Sequence, residues 1–246
     1  DHGRLQAVWA GVRAAAHPYA LSALPKALPA GRYALGDGGF SADAGAAALS
    51  WALGGYTFSR YKPARRAPAE LLLPASGAAR QGLVLAEAIA HTRDLVNTPA
   101  EHMGPADLEV VARELAARHG AALTVTTGED LLAQGYPAIH AVGRASHRAP
   151  RILELSWGDA SHPHVAICGK GVCFDTGGLD LKTAVGMRNM KKDMGGAAHA
   201  LALGRMVMAA GLPVRLAILL PVVENAISGD AMRPGDVLDS RKGLTI

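Results

Sequence analysis

Aromatic side chains are scarce in this sequence: Phe, Trp and Tyr together make up 4% of its 246 residues. A core without large rings has to be filled by Ala, Leu and Val, which favours close helix-on-sheet packing over the interlocking of big side chains. Cysteine is scarcer still, and the two present, Cys168 and Cys173, share one short segment. That usage excludes a disulfide framework and points to a reduced, cytoplasmic setting. Their spacing does not suit a zinc knuckle and no His pair accompanies them, so both thiols read as small packed apolar groups. Long apolar runs are missing as well. The stretches near 201–210 and 214–223 are each interrupted by Gly, Arg or Pro, short of the roughly 18–20 residues that a membrane helix needs. The opening Asp1-His2-Gly3-Arg4 has neither an initiator Met nor a basic-then-apolar leader, so the chain is expected to start within a longer product or to have been trimmed. A strong charge excess is absent too. The net charge is +4 and the pI about 9.2. The one basic cluster, Lys62-Pro63-Ala64-Arg65-Arg66, is flanked by prolines and reads as a solvated loop rather than a nucleic-acid surface.

What is present organises the chain into two parts. Residues 5–16 have helical periodicity, with Leu5, Val8, Trp9 and Val12 on one face. Tyr33-Ala34-Leu35 suggests a strand, and a helix is expected from a Ser41 N-cap to Gly54-Gly55. A Pro-rich stretch then frames a strand at Leu71-Leu72-Leu73, and a boundary near residue 75 gives a small N-terminal α/β domain over 1–75. From 76 to 246, helix and strand alternate. Helices are expected at 80–96, 106–119, 128–134 and 195–210. Strands are expected at 123–125, 152–155, 165–168 and 214–220, the last a continuous apolar run of the doubly covered kind. The fold class is therefore α/β, with a mixed sheet covered by helices on both faces.

The chemistry-bearing segment is Gly169-Lys170-Gly171-Val172-Cys173-Phe174-Asp175-Thr176-Gly177-Gly178-Leu179-Asp180-Leu181-Lys182. It follows an apolar strand, at the sheet end where open α/β folds place ligands. A phosphate loop would need Gly-Lys-Ser/Thr opening a helix, which neither Lys170-Gly171 nor Leu181-Lys182 provides. Carboxylates are the other resource. Asp175, Asp180 and Asp193 offer hard oxygen donors for Zn²⁺, Mn²⁺ or Mg²⁺. Two lysines among them make sense if one ligates as a neutral amine and the other polarises a carbonyl. Taken one at a time, Lys170 also reads as a surface lysine in a glycine turn, and Asp193 as the N-cap of the helix at 195–210. Asp180 and Asp236 read as a loop acid and a turn former, His199 as a core or interface residue, and the Met cluster around 187–208 as packing.

The run from Gly169 to Lys182, with Met190-Lys191-Lys192-Asp193-Met194-Gly195-Gly196-Ala197-Ala198, resembles the two signature motifs of the leucyl (cytosol) aminopeptidases. Lys170, Asp175, Lys182 and Asp193 follow each other at intervals of 5, 7 and 11 residues, as in that family. Arg93–Ala100, Pro221–Asn225 and Arg233–Val237 are also typical of it, and Tyr56–Lys62 resembles the end of its N-terminal domain. The resemblance implies a two-metal exopeptidase acting on peptides with a free N-terminus and preferring leucine-type, apolar residues. Asp175 would bridge two divalent ions (Zn²⁺, Mn²⁺ or Mg²⁺), Lys170 and Asp193 would complete the tighter position, Lys182 would be the cationic catalyst, and Met190 would line the side-chain pocket. It further implies a bicarbonate base and a cytoplasmic homo-hexamer. Cys168 and Asp180 depart from the family's usual residues. So does the absence of the Asn-Thr-Asp-Ala-Glu-Gly-Arg motif, which leaves the catalytic domain over 76–246 incomplete and this chain alone expected to be inactive. A DNA-binding or structural subunit of the same fold is the alternative expectation.

Overall fold

The computed structural model describes residues 5–12, 14, 17–36 and 43–246. The chain forms two compact units, Asp1–Ala90 and His91–Ile246.

The first unit holds α1 (Leu24–Ala27), β1 (Arg32–Ala34), α2 (Ala44–Gly55), β2 (Glu70–Leu72) and the first part of α3 (Gly77–Asn97). β1 and β2 pair in parallel, with Tyr33 opposite Leu71. Around them Leu21, Leu28, Ala47, Trp51 and Ala69 make a small core, and the Trp51 indole donates to the Ala69 carbonyl at 2.8 Å. The expected cap Ser41 lies outside the described residues. The helix starts instead from Asp43, whose carboxylate accepts the Ala46 N–H, a standard N-cap contact. Residues 5–12 are not helical, while positions 13, 15 and 16 of that expected helix lie outside the described residues. Leu5, Val8 and Trp9 are exposed, and a helix this short forms only when an apolar face is packed. In the basic cluster, Arg66 is not a free cation: its guanidinium donates to the carbonyls of Leu28 and Lys26.

The second unit continues through α4 (Pro105–His119), β3 (Ala122–Thr127), α5 (Asp130–Ala133), α6 (Pro137–Gly143), β4 (Arg151–Trp157), β5 (His164–Cys168), β6 (Gly171–Asp175), α7 (Ala184–Met187), α8 (Gly195–Ala209) and β7 (Arg215–Asn225). Its sheet runs β3-β4-β7-β5, with β6 following β5 along the same side of β7. The pairings β3–β4 and β4–β7 are antiparallel, while β5 and β6 pair with β7 in parallel. This is the expected mixed α/β sheet. On one face Leu153, Leu155, Leu216, Ile218, Leu220 and Val222 pack against Leu108, Leu115, Ala197, Ala198 and Leu201 of α4 and α8. On the other, α6 packs over β7 and β4. Ala and Gly at the contacts let the helices approach closely: a Cβ on Gly204 would meet the Ile218 side chain.

β7 extends past the expected strand and carries Pro221, normally excluded from central strands. The reason lies in the neighbours. β5 pairs with β7 only as far as Leu219, and β6 begins at Val222. The Pro221 carbonyl lies against Gly171, so the missing N–H falls on that same side, in the gap between the two strands. The gap is the dipeptide Gly169-Lys170.

Candidate metal centre

Three stretches converge at the C-terminal ends of β5, β6 and β7. The first is the break after β5. A Cβ on Gly169 would stand 2.7 Å from the Gly196 carbonyl, and one on Gly196 would stand 2.8 Å from the Lys170 nitrogen. Only glycine permits that approach. It lets the Lys170 carbonyl accept the Ala197 N–H at 2.8 Å, and the start of α8 is thereby seated on Lys170.

The second stretch is the loop after β6. Asp175 ends the strand, and the chain turns through Gly177 and Gly178, with φ of +92° and +66°, in the left-handed region that favours glycine. A Cβ on Gly177 would meet the Asp180 carbonyl at 2.3 Å. The turn brings Lys182 back, its N–H donating to the Thr176 carbonyl at 2.9 Å and its Nζ lying 2.7 Å from Asp175 Oδ2.

The third is a 3₁₀ turn, Met190–Met194, which holds Asp193 2.7 Å from Lys170 Nζ through its Oδ2. Asp193 in sequence also reads as the N-cap of α8. The cap residue is Met194 instead, and no side chain caps the helix, because the Asp193 carboxylate is turned to Lys170. The centre is thus two lysine–carboxylate pairs, Lys170–Asp193 and Lys182–Asp175.

The two carboxylates have different surroundings. Burial alone would raise the Asp175 carboxyl, but hydrogen bonds from Lys182, the Gly177 N–H and Asn225 outweigh it and hold the group below the usual carboxylate value. Asp193 Oδ2 is buried and makes no hydrogen bond of good geometry, although the Lys170 ammonium is within ion-pair distance. An ion pair is less directional than a hydrogen bond, so both observations stand together: the oxygen is charge-compensated by the ammonium but accepts no hydrogen bond of good geometry. A buried carboxylate oxygen with an unfilled lone pair is a feature of a cation site, and the donor set of two carboxylates and an amine suits Zn²⁺ or Mn²⁺. Among the described residues, no three His, Cys, Asp or Glu side chains gather in one place.

The other expected residues sort clearly. Met190 is half-buried at the head of the 3₁₀ turn. Asp180 is exposed and Lys182 pairs with Asp175 rather than with it. Asp236 is a turn former, accepting the Arg233 N–H at 2.9 Å. His199 is exposed, its ring 2.6 Å from the Gly195 carbonyl of its own helix. Cys173 is buried as expected, but Cys168 is exposed, because β5 presents most of its length to solvent. Two residues escaped the sequence reading. Asn225 donates to Asp175 Oδ1 at 2.8 Å, and the Asn97 carbonyl accepts Lys191 Nζ at 2.6 Å. A polar Asn closing the apolar run 214–223 was the available signal for the first.

With this geometry in hand, comparison with known proteins decides the family. The pattern describing the "Cytosol aminopeptidase family, catalytic domain" matches residues 90–246, and that of the "M17 aminopeptidase, N-terminal domain" matches residues 1–74. The chain belongs to the cytosol aminopeptidase family. A "Probable cytosol aminopeptidase" of Rhodococcus opacus is 40% identical over 221 residues, which cover 83% of this chain and 44% of that one. Among solved structures, the cytosol aminopeptidase of Coxiella burnetii superposes with a TM-score of 0.90 at 45% identity, covering 96% of this chain and 52% of the other. The bottromycin maturation enzyme BotP, in complex with Mn, matches with a TM-score of 0.82 at 37% identity, over 93% of this chain and 51% of its own. The chain spans about half the length of the family members it matches. No described helix is long and apolar enough to cross a membrane.

Proposed function

We propose that the protein carrying this chain is a metal-dependent aminopeptidase that removes single N-terminal residues, leucine-type and apolar by preference, from peptides. The observation that carries the proposal is the pair of lysine–carboxylate contacts at 2.7 Å, one of them on a buried, incompletely satisfied Asp193 oxygen. In this reading residues 76–246 belong to the catalytic domain and residues 1–75 form the small domain before it. Cytoplasmic location, a homo-hexamer and a bicarbonate base belong to the same proposal and rest on the family resemblance alone.

Each residue has a role its surroundings support. Asp175, whose Oδ2 faces only the Lys182 ammonium, is the candidate carboxylate that two ions would share. Asp193 and Lys170 form the second pair of donors, Lys170 serving as an amine once neutral. Two divalent ions, Zn²⁺ or Mn²⁺ ahead of Mg²⁺, would supply Lewis-acid polarisation and an activated water when bound. Lys182, half-buried and tethered to Asp175, keeps an ammonium where negative charge would develop on a scissile carbonyl. Met190 would face the side chain of the residue removed. The rival DNA-binding reading draws on the basic cluster at 62–66, where Arg66 is already occupied by two backbone carbonyls.

The test is hydrolysis of a leucine anilide by the whole protein with Zn²⁺ or Mn²⁺. Lys182→Ala is expected to lower kcat by roughly 10²–10³, the usual effect of deleting one oxyanion-stabilising donor. Absence of release, or release indifferent to that substitution, would refute the proposal. Residues 1–246 by themselves, with two carboxylates at the centre among the described residues, are expected to bind the ions weakly and turn over almost no substrate.

A further inference from the structure

Asp175 is held by more than its lysine. It ends β6 directly opposite Asn225, which ends β7 in the same parallel register. The Asn225 backbone carbonyl accepts both the Thr176 N–H at 3.0 Å and the Thr176 hydroxyl at 2.8 Å, pinning the loop to the sheet. Its side chain does something separate. Asn225 Nδ2 donates to Asp175 Oδ1 at 2.8 Å, and the Gly177 N–H donates to the same oxygen at 2.9 Å. Oδ1 therefore has two neutral donors, while Oδ2 faces only the Lys182 ammonium. Only the NH₂ end of an amide can face a carboxylate oxygen, so chemistry as well as geometry assigns this orientation.

The strand end that carries Asn225 is itself clamped. The adjacent Glu224 lies 3.5 Å from Arg148, and the same guanidinium donates to the Ala100 carbonyl. Asn225 itself is presented from the paired end of β7, and the carboxylate it meets is held by donors on both oxygens.

We infer that Asn225 is a positioning residue for Asp175, setting the plane of the carboxylate by saturating Oδ1 with neutral donors and leaving Oδ2 for a cation. The inference rests on the two-metal reading of the centre. Hydrogen-bonded partners behind a metal-ligating carboxylate commonly change metal affinity by 10–100-fold when removed. Asn225→Ala takes away the amide while sparing the backbone carbonyl that pins Thr176. Thr176→Val does the reverse, removing the hydroxyl's bond to the Asn225 carbonyl and its acceptance of the Gly178 N–H while leaving the amide-to-carboxylate bond in place.

The experiment is Mn²⁺ titration of the whole protein followed by EPR, with melting temperature recorded alongside. Asp175→Asn sets the baseline. Expected is a 10–100-fold rise in the Mn²⁺ dissociation constant for Asn225→Ala, against less than about threefold for Thr176→Val. If Asp175→Asn binds Mn²⁺ as well as the unchanged protein does, the metal reading fails and the inference falls with it. If Asp175→Asn is impaired but Asn225→Ala is not, or Thr176→Val is impaired equally, the inference alone is overturned. Should Asn225→Ala not melt cooperatively, Asn225→Ser is judged by the same criteria. Failure of both to fold would make Asn225 a fold determinant and also overturn the inference.

Discussion

The two cysteines show how far single residues can differ within six positions of sequence. Cys173 points into the core and has no exposed surface. Burial, aided by the nearby Glu224 and Asp107 carboxylates, pushes its thiol up to about 12. Cys168, on β5, is exposed to solvent. Since the thiolate is the reactive form, one thiol per chain should react with Ellman's reagent in native protein and two in denaturant. Cys168→Ser should abolish the native reaction, whereas persistent native labelling of that variant would contradict the buried placement of Cys173. In sequence both thiols read as packed, because flanking apolar residues look the same on a covered strand and an exposed one. The lysines and aspartates of the centre stand out by contrast through the resemblance to the family's two motifs, whose intervals of 5, 7 and 11 residues they keep. Asn225 was not, because its partner lies 50 residues away and is reached only through strand pairing.

At the scale of elements, most helices and strands were legible from periodicity and punctuation. β6 was not: Gly171–Asp175 sits inside a glycine-rich run that reads as a turn, and its strand character comes from pairing with β7. The same glycines make a sharp prediction. Gly196→Ala would place a Cβ 2.8 Å from the Lys170 nitrogen and 3.1 Å from its carbonyl oxygen, and backbone cannot yield as a side-chain tip can. Overpacking of this kind costs about 1–3 kcal/mol, or a fall in Tm on the order of 5 °C for a chain of this size. Calorimetry showing no change would mean that the seating of α8 on Lys170 is looser than described. A second element contact predicts a pH dependence. Glu109 of α4 is bound by Arg113 at 2.8 Å and by Arg151 of β4, tying helix to sheet. Burial alone would raise its carboxyl, but the two guanidinium hydrogen bonds outweigh that and leave it below its usual value. A carboxyl depressed in the folded state stabilises above its unfolded pKa of about 4.3 and loses that contribution as pH falls through the folded value. Glu109→Gln should therefore be less stable at pH 7 and show a flatter acid limb in urea melts between about pH 5 and 3.

For the whole molecule, the decisive fact is that the buried apolar residues fall into separate groups. Leu21, Leu28, Ala47, Trp51 and Ala69 form one within the first unit, and the large cluster of β4, β7, α4 and α8 forms the other within the second. Cooperativity follows shared packing, so each cluster should define its own unfolding unit. Tryptophan provides a reporter for each. Trp51 is buried in the first cluster, Trp157 packs against the second, and Trp9 is almost wholly exposed. In a Trp9→Phe background, adding Trp157→Phe leaves Trp51 as the fluorophore, and adding Trp51→Phe leaves Trp157. Ile218 is fully buried in the second cluster, and truncation to Ala should cost about 2–5 kcal/mol through lost burial and the cavity left behind. For a unit of this size that corresponds to a fall on the order of 10 °C in the transition seen by Trp157. The transition seen by Trp51 should move by much less. If both reporters shift together under Ile218→Ala, the two clusters unfold as one and the division of the chain into separately stabilised units is wrong.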